Sequence, residues 1–216
     1  MKIAKGSKSW ILASLITGLL CLVLSAFISS IILQYVFLLF STILILLAFF
    51  FLFFFRDPER KIGQGITAVA DGRIRKVKKI KNKDEKTYVF ISTFMNLNNV
   101  HVNRMPIDGV VKDIDHVSGS HIPAFKKESE RNERVILNLG TNIGMVKIIL
   151  IAGTLARRIV PYVKKGDKLK KGEKIGIIRL GSRVDFYLPY EKIKKLNVKV
   201  NDKVKAGEST IAEIND

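Results

Sequence analysis

A mainly β soluble domain preceded by an α-helical transmembrane hairpin is the fold class this sequence predicts. Three observations predict it. Residues 9–55 form an uncharged, strongly apolar run of 47 positions. Beyond it, short Val- and Ile-rich stretches alternate with Gly, Asn, Asp and Pro, the punctuation of strands and turns. Within that part, two turn-centred segments each occur twice.

The bulk numbers require this segregation. The 216 residues include 37 Lys+Arg and 19 Asp+Glu, a net charge of +18, yet the mean hydropathy is positive at +0.19. A plain soluble globule is excluded by the apolar run. A disordered polybasic tail is excluded by a hydrophobic content of 48%. A disulfide scaffold is excluded because the one cysteine, Cys21, lies inside the apolar run without a partner.

In chain order, residues 1–8 form a basic N-terminus with Lys2, Lys5 and Lys8. Residues 9–55 are too long for one span and suit two, since a bilayer core takes about 20 helical residues. The polar patch Ser29, Ser30 and Gln34 predicts the break, giving helices over 10–29 and 33–55. Lysines before the first helix, and Arg56 and Arg60 after the second, favour a hairpin with both ends in the cytoplasm. The expected location is therefore the cell membrane, with the soluble domain on the cytoplasmic side. A cleaved signal peptide would have a far shorter apolar region. Residues 56–216 keep a net charge of +15, suited to an anionic membrane surface. Nucleic acid is the less suitable partner, because no aromatic-interleaved basic motif accompanies the charge.

The pattern predicts strands at 73–80, 87–93, 109–117, 134–139 and 147–152, with helical periodicity confined to a turn or two near 126–133. Asp71-Gly72-x-Ile74-x-x-Val77 returns as Asp108-Gly109-x-Val111-x-x-Ile114, offset by 37. The segment Val163 to Glu173, with Asp167-Lys168-Leu169-Lys170-x-Gly172, returns as Val198 to Glu208, offset by 35. Duplicated strand–turn–strand units of this kind predict a β-sandwich or barrel-like domain with pseudo-twofold symmetry. They resemble the turns of lipoyl- and biotinyl-carrier-like domains, a likeness of scaffold and not of function.

Among chemistry-bearing residues, His101, His116 and His121 are the only histidines, and no cysteine accompanies them in the soluble part. No metal-ligand spacing is present, so no metal is expected. The P-loop, Gly-x-Gly-x-x-Gly and Gly-x-Ser-x-Gly patterns are absent as well. Gly181-Ser182 lies between two apolar β runs. By itself it reads as a bulge or turn.

Several pieces in order change that reading. Phe54-Phe55-Arg56-Asp57-Pro58-Glu59-Arg60 follows the apolar run, then Ala70-Asp71-Gly72-Arg73-Ile74, then His101-Val102-Asn103-Arg104-Met105-Pro106 with Gly109. A loop from His121 to Phe125 leads to Glu128-Ser129-Glu130-Arg131-Asn132-Glu133-Arg134, and Gly181-Ser182-Arg183-Val184-Asp185 closes the series. Together they resemble the short form of the phosphatidylserine decarboxylase family. The compact length and the lysine- and isoleucine-rich composition lean towards its archaetidylserine branch.

The resemblance implies a proenzyme that makes its own cofactor. Ser182 attacks the Gly181 carbonyl, the chain splits into 1–181 and 182–216, and residue 182 becomes a pyruvoyl group. That ketone forms a Schiff base with the amine of a serine phospholipid and takes up the electrons left by CO2, so the ethanolamine lipid is released without pyridoxal phosphate or metal. The two fragments stay together as a heterodimer, and a homo-oligomer is compatible with the sequence. The resemblance also implies an Asp–His pair, for which Asp71 and His101 are the matching candidates. Asp71 reads equally as an Asp-Gly turn residue, given its echo at Asp108. His101 also reads as a half-buried strand histidine, though the signature around it favours the functional reading, and His121 is the second candidate base. Longer members carry a second histidine three residues after the first, where this chain has Arg104. Arg104 suits the substrate carboxylate or phosphate, or the oxyanion formed at Gly181. The competing reading is a non-enzymatic, membrane-anchored, lipoyl-like adaptor subunit.

Overall fold

The computed structural model describes residues 2–82, 84–120, 131–153, 159–179 and 182–215. They form two compact units, residues 1–59 and 60–216.

The first unit is the hairpin. Helix α1 (Lys8–Ser25) and helix α2 (Ile31–Phe54) are about 27 and 36 Å long at 1.5 Å per residue, enough to cross a bilayer. Small residues set their approach. A side chain on Gly18 would meet Ile45 Cγ1 at 3.0 Å, and Ser41 Oγ donates to the Gly18 carbonyl at 2.7 Å. The first helix stops four residues earlier than expected, at Ser25, and Gln34 lies inside the second. Gln34 stays helical because its N–H reaches the Ser30 carbonyl at 3.0 Å, within the first turn. Strands β1 (Lys2–Ile3) and β2 (Arg56–Asp57) pair across the hairpin's open end. Residues 56–59 therefore belong with the helices.

The second unit is mainly β. Its strands are β3 (Ile66–Thr67), β4 (Gly72–Lys81), β5 (Thr87–Met95), β6 (Val102–Arg104), β7 (Gly109–Val117) and β8 (Arg134–Thr141). They continue with β9 (Gly144–Ala152), β10 (Ile159–Pro161), β11 (Lys168–Leu169), β12 (Lys174–Ile178), β13 (Ser182–Pro189), β14 (Ile193–Leu196), β15 (Lys203–Val204) and β16 (Thr210–Ile214). The five expected strands are all present, most extended by a residue or more. The expected turns near 126–133 fall largely outside the described residues.

An eight-stranded antiparallel sheet runs β11-β7-β8-β9-β13-β5-β4-β15, beside three-stranded sheets β10-β12-β6 and β14-β16-β3. Exchanging β4 with β7, β5 with β8, β15 with β11 and β13 with β9 reproduces the large sheet's order. The same exchange turns β10-β12-β6 into β14-β16-β3. The two sequence echoes are thus parts of a duplication that spans the domain, with its pseudo-twofold axis between β9 and β13. Equivalent hydrogen bonds bear this out. Asp71 Oδ1 accepts from Ala206 N at 2.8 Å, and its mate Asp108 Oδ1 accepts from Lys171 N at 2.6 Å. Arg104 N donates to Val69 O, and its mate Thr67 N donates to Pro106 O, each at 2.9 Å.

Alternate residues of the long strands build the core: Val89, Ile91 and Met95 on β5, Val146, Ile148 and Leu150 on β9, and Val184, Phe186 and Leu188 on β13. Ser182 has the parity of that core-facing set.

Candidate active site

Ser182 is fully buried at the first position of β13. That strand is central: Ser182 is paired with Met95 of β5 on one side and Ala152 of β9 on the other. Its Oγ lies 3.6 Å from Met95 Sδ. Gly181, the residue before it, lies outside the described residues, as does His121.

Asn103 reaches the same neighbourhood from β6, and His101 directly precedes that strand. They are two residues apart and so share one face of the extended chain. Both are fully buried. The Asn103 amide Nδ2 lies 3.8 Å from the sulfur that Ser182 also approaches. The Asn103 Oδ1 has no hydrogen-bond partner among the described residues. The His101 carbonyl accepts Ile178 N at 3.3 Å, extending the β6–β12 ladder to within four residues of Ser182. Its ring Nδ1 sits 2.9 Å from the Asn99 carbonyl. A carbonyl only accepts, so Nδ1 carries the hydrogen and Nε2 is the basic nitrogen of the neutral ring.

Asn132 and Glu133 form the wall beyond Ala152. Asn132 Nδ2 donates to the Ala152 carbonyl at 2.7 Å, and Ala152 N donates to the Glu133 carbonyl at 3.0 Å. Glu133 Oε1 accepts from His116 Nε2 at 2.8 Å and from Ile159 N at 3.4 Å. The two residues thereby fix the strand next to Ser182 and the start of β10.

Asp71 and Arg104 are held by other partners. Asp71 has both carboxylate oxygens engaged, one by Ala206 N and the other by Arg60 at 2.8 Å in a buried ion pair. Arg60 also approaches Glu208 at 3.4 Å. Arg104 lies on the opposite face of β6 from His101 and Asn103. Its guanidinium donates to the Gly172 carbonyl at 3.0 Å, and a side chain on Gly207 would meet its Cδ at 3.1 Å. Both residues therefore brace the duplicated turns. Among the described residues no cluster of His, Cys, Asp and Glu is arranged to hold a metal ion.

Asn103, Asn132 and Glu133 had no role assigned from the sequence, although each lies inside a quoted motif. For Asn103 the signal is a broken repeat: it is the mate of Ile66, a fully buried core residue. An amide stands where the other half of the duplication places a hydrocarbon.

Comparison with known proteins identifies the family. The family model for phosphatidylserine decarboxylase matches residues 47–212. A phosphatidylserine decarboxylase proenzyme of Streptomyces coelicolor is 50% identical over 159 residues, covering 73% of this chain and 70% of its own. A protein of Methanosarcina barkeri, provisionally named archaetidylserine decarboxylase proenzyme, is 40% identical over 215 residues, 98% of each chain. Another of that provisional name, from Methanococcoides burtonii, is 45% identical over 163 residues, covering 74% of this chain and 73% of its own. With the family model matched across most of its length, this chain belongs to the phosphatidylserine decarboxylase family.

Proposed function

We propose that the chain is a self-cleaving proenzyme that decarboxylates a serine phospholipid at the membrane surface. The adaptor reading is set aside by the family match. The observation that carries the proposal is Ser182 itself: a buried hydroxyl opening the central strand, laddered on both sides, with Asn103 of β6 at the same methionine sulfur.

Cleavage follows from these groups. His101 takes the Ser182 hydroxyl proton as the oxygen adds to the Gly181 carbonyl carbon. The C–N bond breaks, the nitrogen of residue 182 takes the proton, and an ester joins the two fragments. Loss of the Cα hydrogen of residue 182 expels the Gly181 carboxylate and leaves a dehydroalanine. Its imine tautomer adds water and releases ammonia, so residue 182 ends as a pyruvoyl group. Asn103 Nδ2 is placed to donate to charge developing near Ser182. Asp71 and Arg104 act as positioning residues, through Arg60 and the duplicated turns.

The site fits such a group. A cut before Ser182 keeps every ladder partner of β13, and the buried surroundings protect an electrophilic carbonyl from water. Once formed, the pyruvoyl group supplies the electron sink for loss of CO2 from a lipid serine. His101 then holds the proton returned to the product carbon. The hairpin keeps the domain at the bilayer that contains the lipid tails, and its flanking positive charge favours the cytoplasmic side.

Denaturing mass spectrometry tests this directly. Wild type should be two chains, 1–181 and a blocked 182–216, while Ser182→Ala stays intact. Diacyl and ether-linked serine lipids should both lose CO2, because the chemistry acts on their shared headgroup. A wild-type chain that stays whole in membranes would sink the proposal. His101→Ala and His121→Ala in parallel assign the base: the variant that fails to cleave carries it.

A further inference from the structure

The face of the large sheet opposite Ser182 takes no part in the proposed reaction, and the duplication sets opposite charges at its two sides. The offset of 37 that relates β4 to β7 puts Asp113 in the place of Lys76 and Asp115 in the place of Lys78. Each strand shifts register just before these residues, between Ile74 and Lys76 and between Val111 and Asp113. The equivalence therefore holds in three dimensions as well as in sequence. The ladder partners of the four residues are Ser92, Phe90, Asn138 and Ile136, which alternate with core residues of β5 and β8. All four charged side chains thus lie on the outer face.

Two rows of side chains cross this face. One runs from Lys78 through Phe90, Tyr187, Lys147 and Asn138 to Asp113. Its neighbour runs from Lys76 through Ser92, Asp185, Ile149 and Ile136 to Asp115. Each row starts on a lysine and ends on an aspartate, five strand spacings or about 24 Å along the sheet. Lys76, Lys78 and Asp115 are exposed. Asp113 meets Lys165 at 3.4 Å, with side-chain exposures of 46% and 71%, a contact that is readily exchanged. Between the ends, Phe90, Tyr187, Ile136 and Ile149 are half-buried, and a depression of about 400 Å³ opens over Phe90, Ile149 and Tyr187. Asp185 is buried and already engaged, accepting from Ser92 Oγ at 2.6 Å and from Arg183 at 3.1 Å.

We infer that this face pairs with the same face of a second copy of the chain, about a twofold axis that runs along the strands between β9 and β13. Rotation about that axis lays each row on its own reverse. Lys78 then meets Asp113 of the partner subunit, Lys76 meets Asp115 of the partner subunit, and both contacts occur twice. Sheets packed face to face lie about 10 Å apart, a gap that a lysine and an aspartate side chain fill end to end. The half-buried apolar residues between the charged ends become the centre of the interface, and the depression takes the partner's side chains. The face measures about 24 Å across the strands and about 20 Å along them, roughly 500 Å² before side-chain relief is counted. A stable complex buries about 800 Å² on each partner, so most of the face takes part. No other pairing of the face uses the opposite charges at its two sides.

The test is carbodiimide cross-linking of the full-length wild-type chain in detergent. The reagent joins a lysine to a carboxylate without a spacer, so within one chain it does not span the sheet. Peptides joining Lys76 or Lys78 to Asp113 or Asp115 should form, and mixed isotope-labelled and unlabelled chains should give links that carry both labels. Charge reversal then tests the pairing. Lys76→Asp/Lys78→Asp and Asp113→Lys/Asp115→Lys, each made alone, set like charges against one another and should weaken the dimer about a hundredfold, read by native mass spectrometry. Mixing the two variants should restore a dimer with one chain of each, which also shows that both fold. Ser182→Ala should dimerise as wild type does, since nothing in the pairing depends on self-cleavage. A wild-type chain that is monomeric at micromolar concentration, or links that carry one label only, would overturn the inference. So would dimers untouched by either reversal, which would place the contact on another surface. Reversed chains that keep the wild-type urea midpoint yet fail to pair when mixed would overturn it too.

Discussion

Asp71 and its pseudo-symmetric mate Asp108 offer an internal control that separates turn capping from ion pairing. Both accept a backbone N–H from the duplicated turn, at 2.8 and 2.6 Å. Only Asp71 also holds a buried arginine, with side-chain exposures of 5% for Arg60 and 9% for Asp71. A charge-assisted bond to a backbone amide contributes about 1.5 kcal/mol, less at an exposed residue such as Asp108, so Asp108→Ala should cost about 1 kcal/mol. Asp71→Ala loses the same bond and strands a buried guanidinium, a change that costs about 3–5 kcal/mol. Glu208, 28% exposed and 3.4 Å from Arg60, offsets only part of this. The gap between the two variants should be about 2–4 kcal/mol. Pulse proteolysis in urea measures it on the full-length chain in detergent, with Ser182→Ala in every sample so that all unfold as one chain. A gap below about 1 kcal/mol would refute the reasoning. The ion pair would then be dispensable, and Asp71 would be released for a role in proton transfer.

Three further outcomes follow from the site and its reverse face. Asn103→Leu removes an amide whose Oδ1 has no partner among the described residues; it should raise stability by about 1 kcal/mol while slowing self-cleavage at least tenfold. A urea midpoint and a cleavage half-time check the two halves, and unchanged cleavage would remove Asn103 from the site. Asn132→Ala leaves the Ala152 carbonyl without its side-chain donor and should cost about 1–3 kcal/mol in the same urea assay, with slower cleavage. Asp185 has a carboxyl raised above 3.8, so its contribution is fully present below that pH and is lost as pH rises through the folded value. Relative to Asp185→Asn, wild type should therefore lose stability between acid and neutral pH, and a pH-independent difference between the two midpoints would contradict this.

Much of the fold was legible because a duplication writes the same instructions twice. Offsets of 37 and 35 flagged the turns, and alternating Val and Ile marked the long strands. The two- and three-residue strands β3, β6, β11 and β15 were not legible. They are too short to show a period and are fixed by partners far along the chain, such as β4 for β15. Ser182 was legible through its motif. Arg60 was quoted only as part of a motif, because its pairing with Asp71 is a property of the packed domain. Asn103 was hidden for the opposite reason: its neighbours look like an ordinary strand, and only comparison with Ile66 exposes it. In this domain, the places where the two halves disagree carry more chemical information than the places where they match.

The central position of β13 makes the proposed cut a one-way event. The piece after it, 182–216, supplies β13 and β15 to the large sheet and β14 and β16 to a small one. Before the cut, those strands find their places as part of one chain, whatever the protein concentration. After it, any molecule that unfolds becomes two polypeptides that must meet again, and recovery depends on dilution and on competition from aggregation. The order of events is therefore forced: the sheet must close first, and the bond breaks second. A chain that misfolds never assembles its own reactive carbonyl, so the same step that activates the protein also screens it.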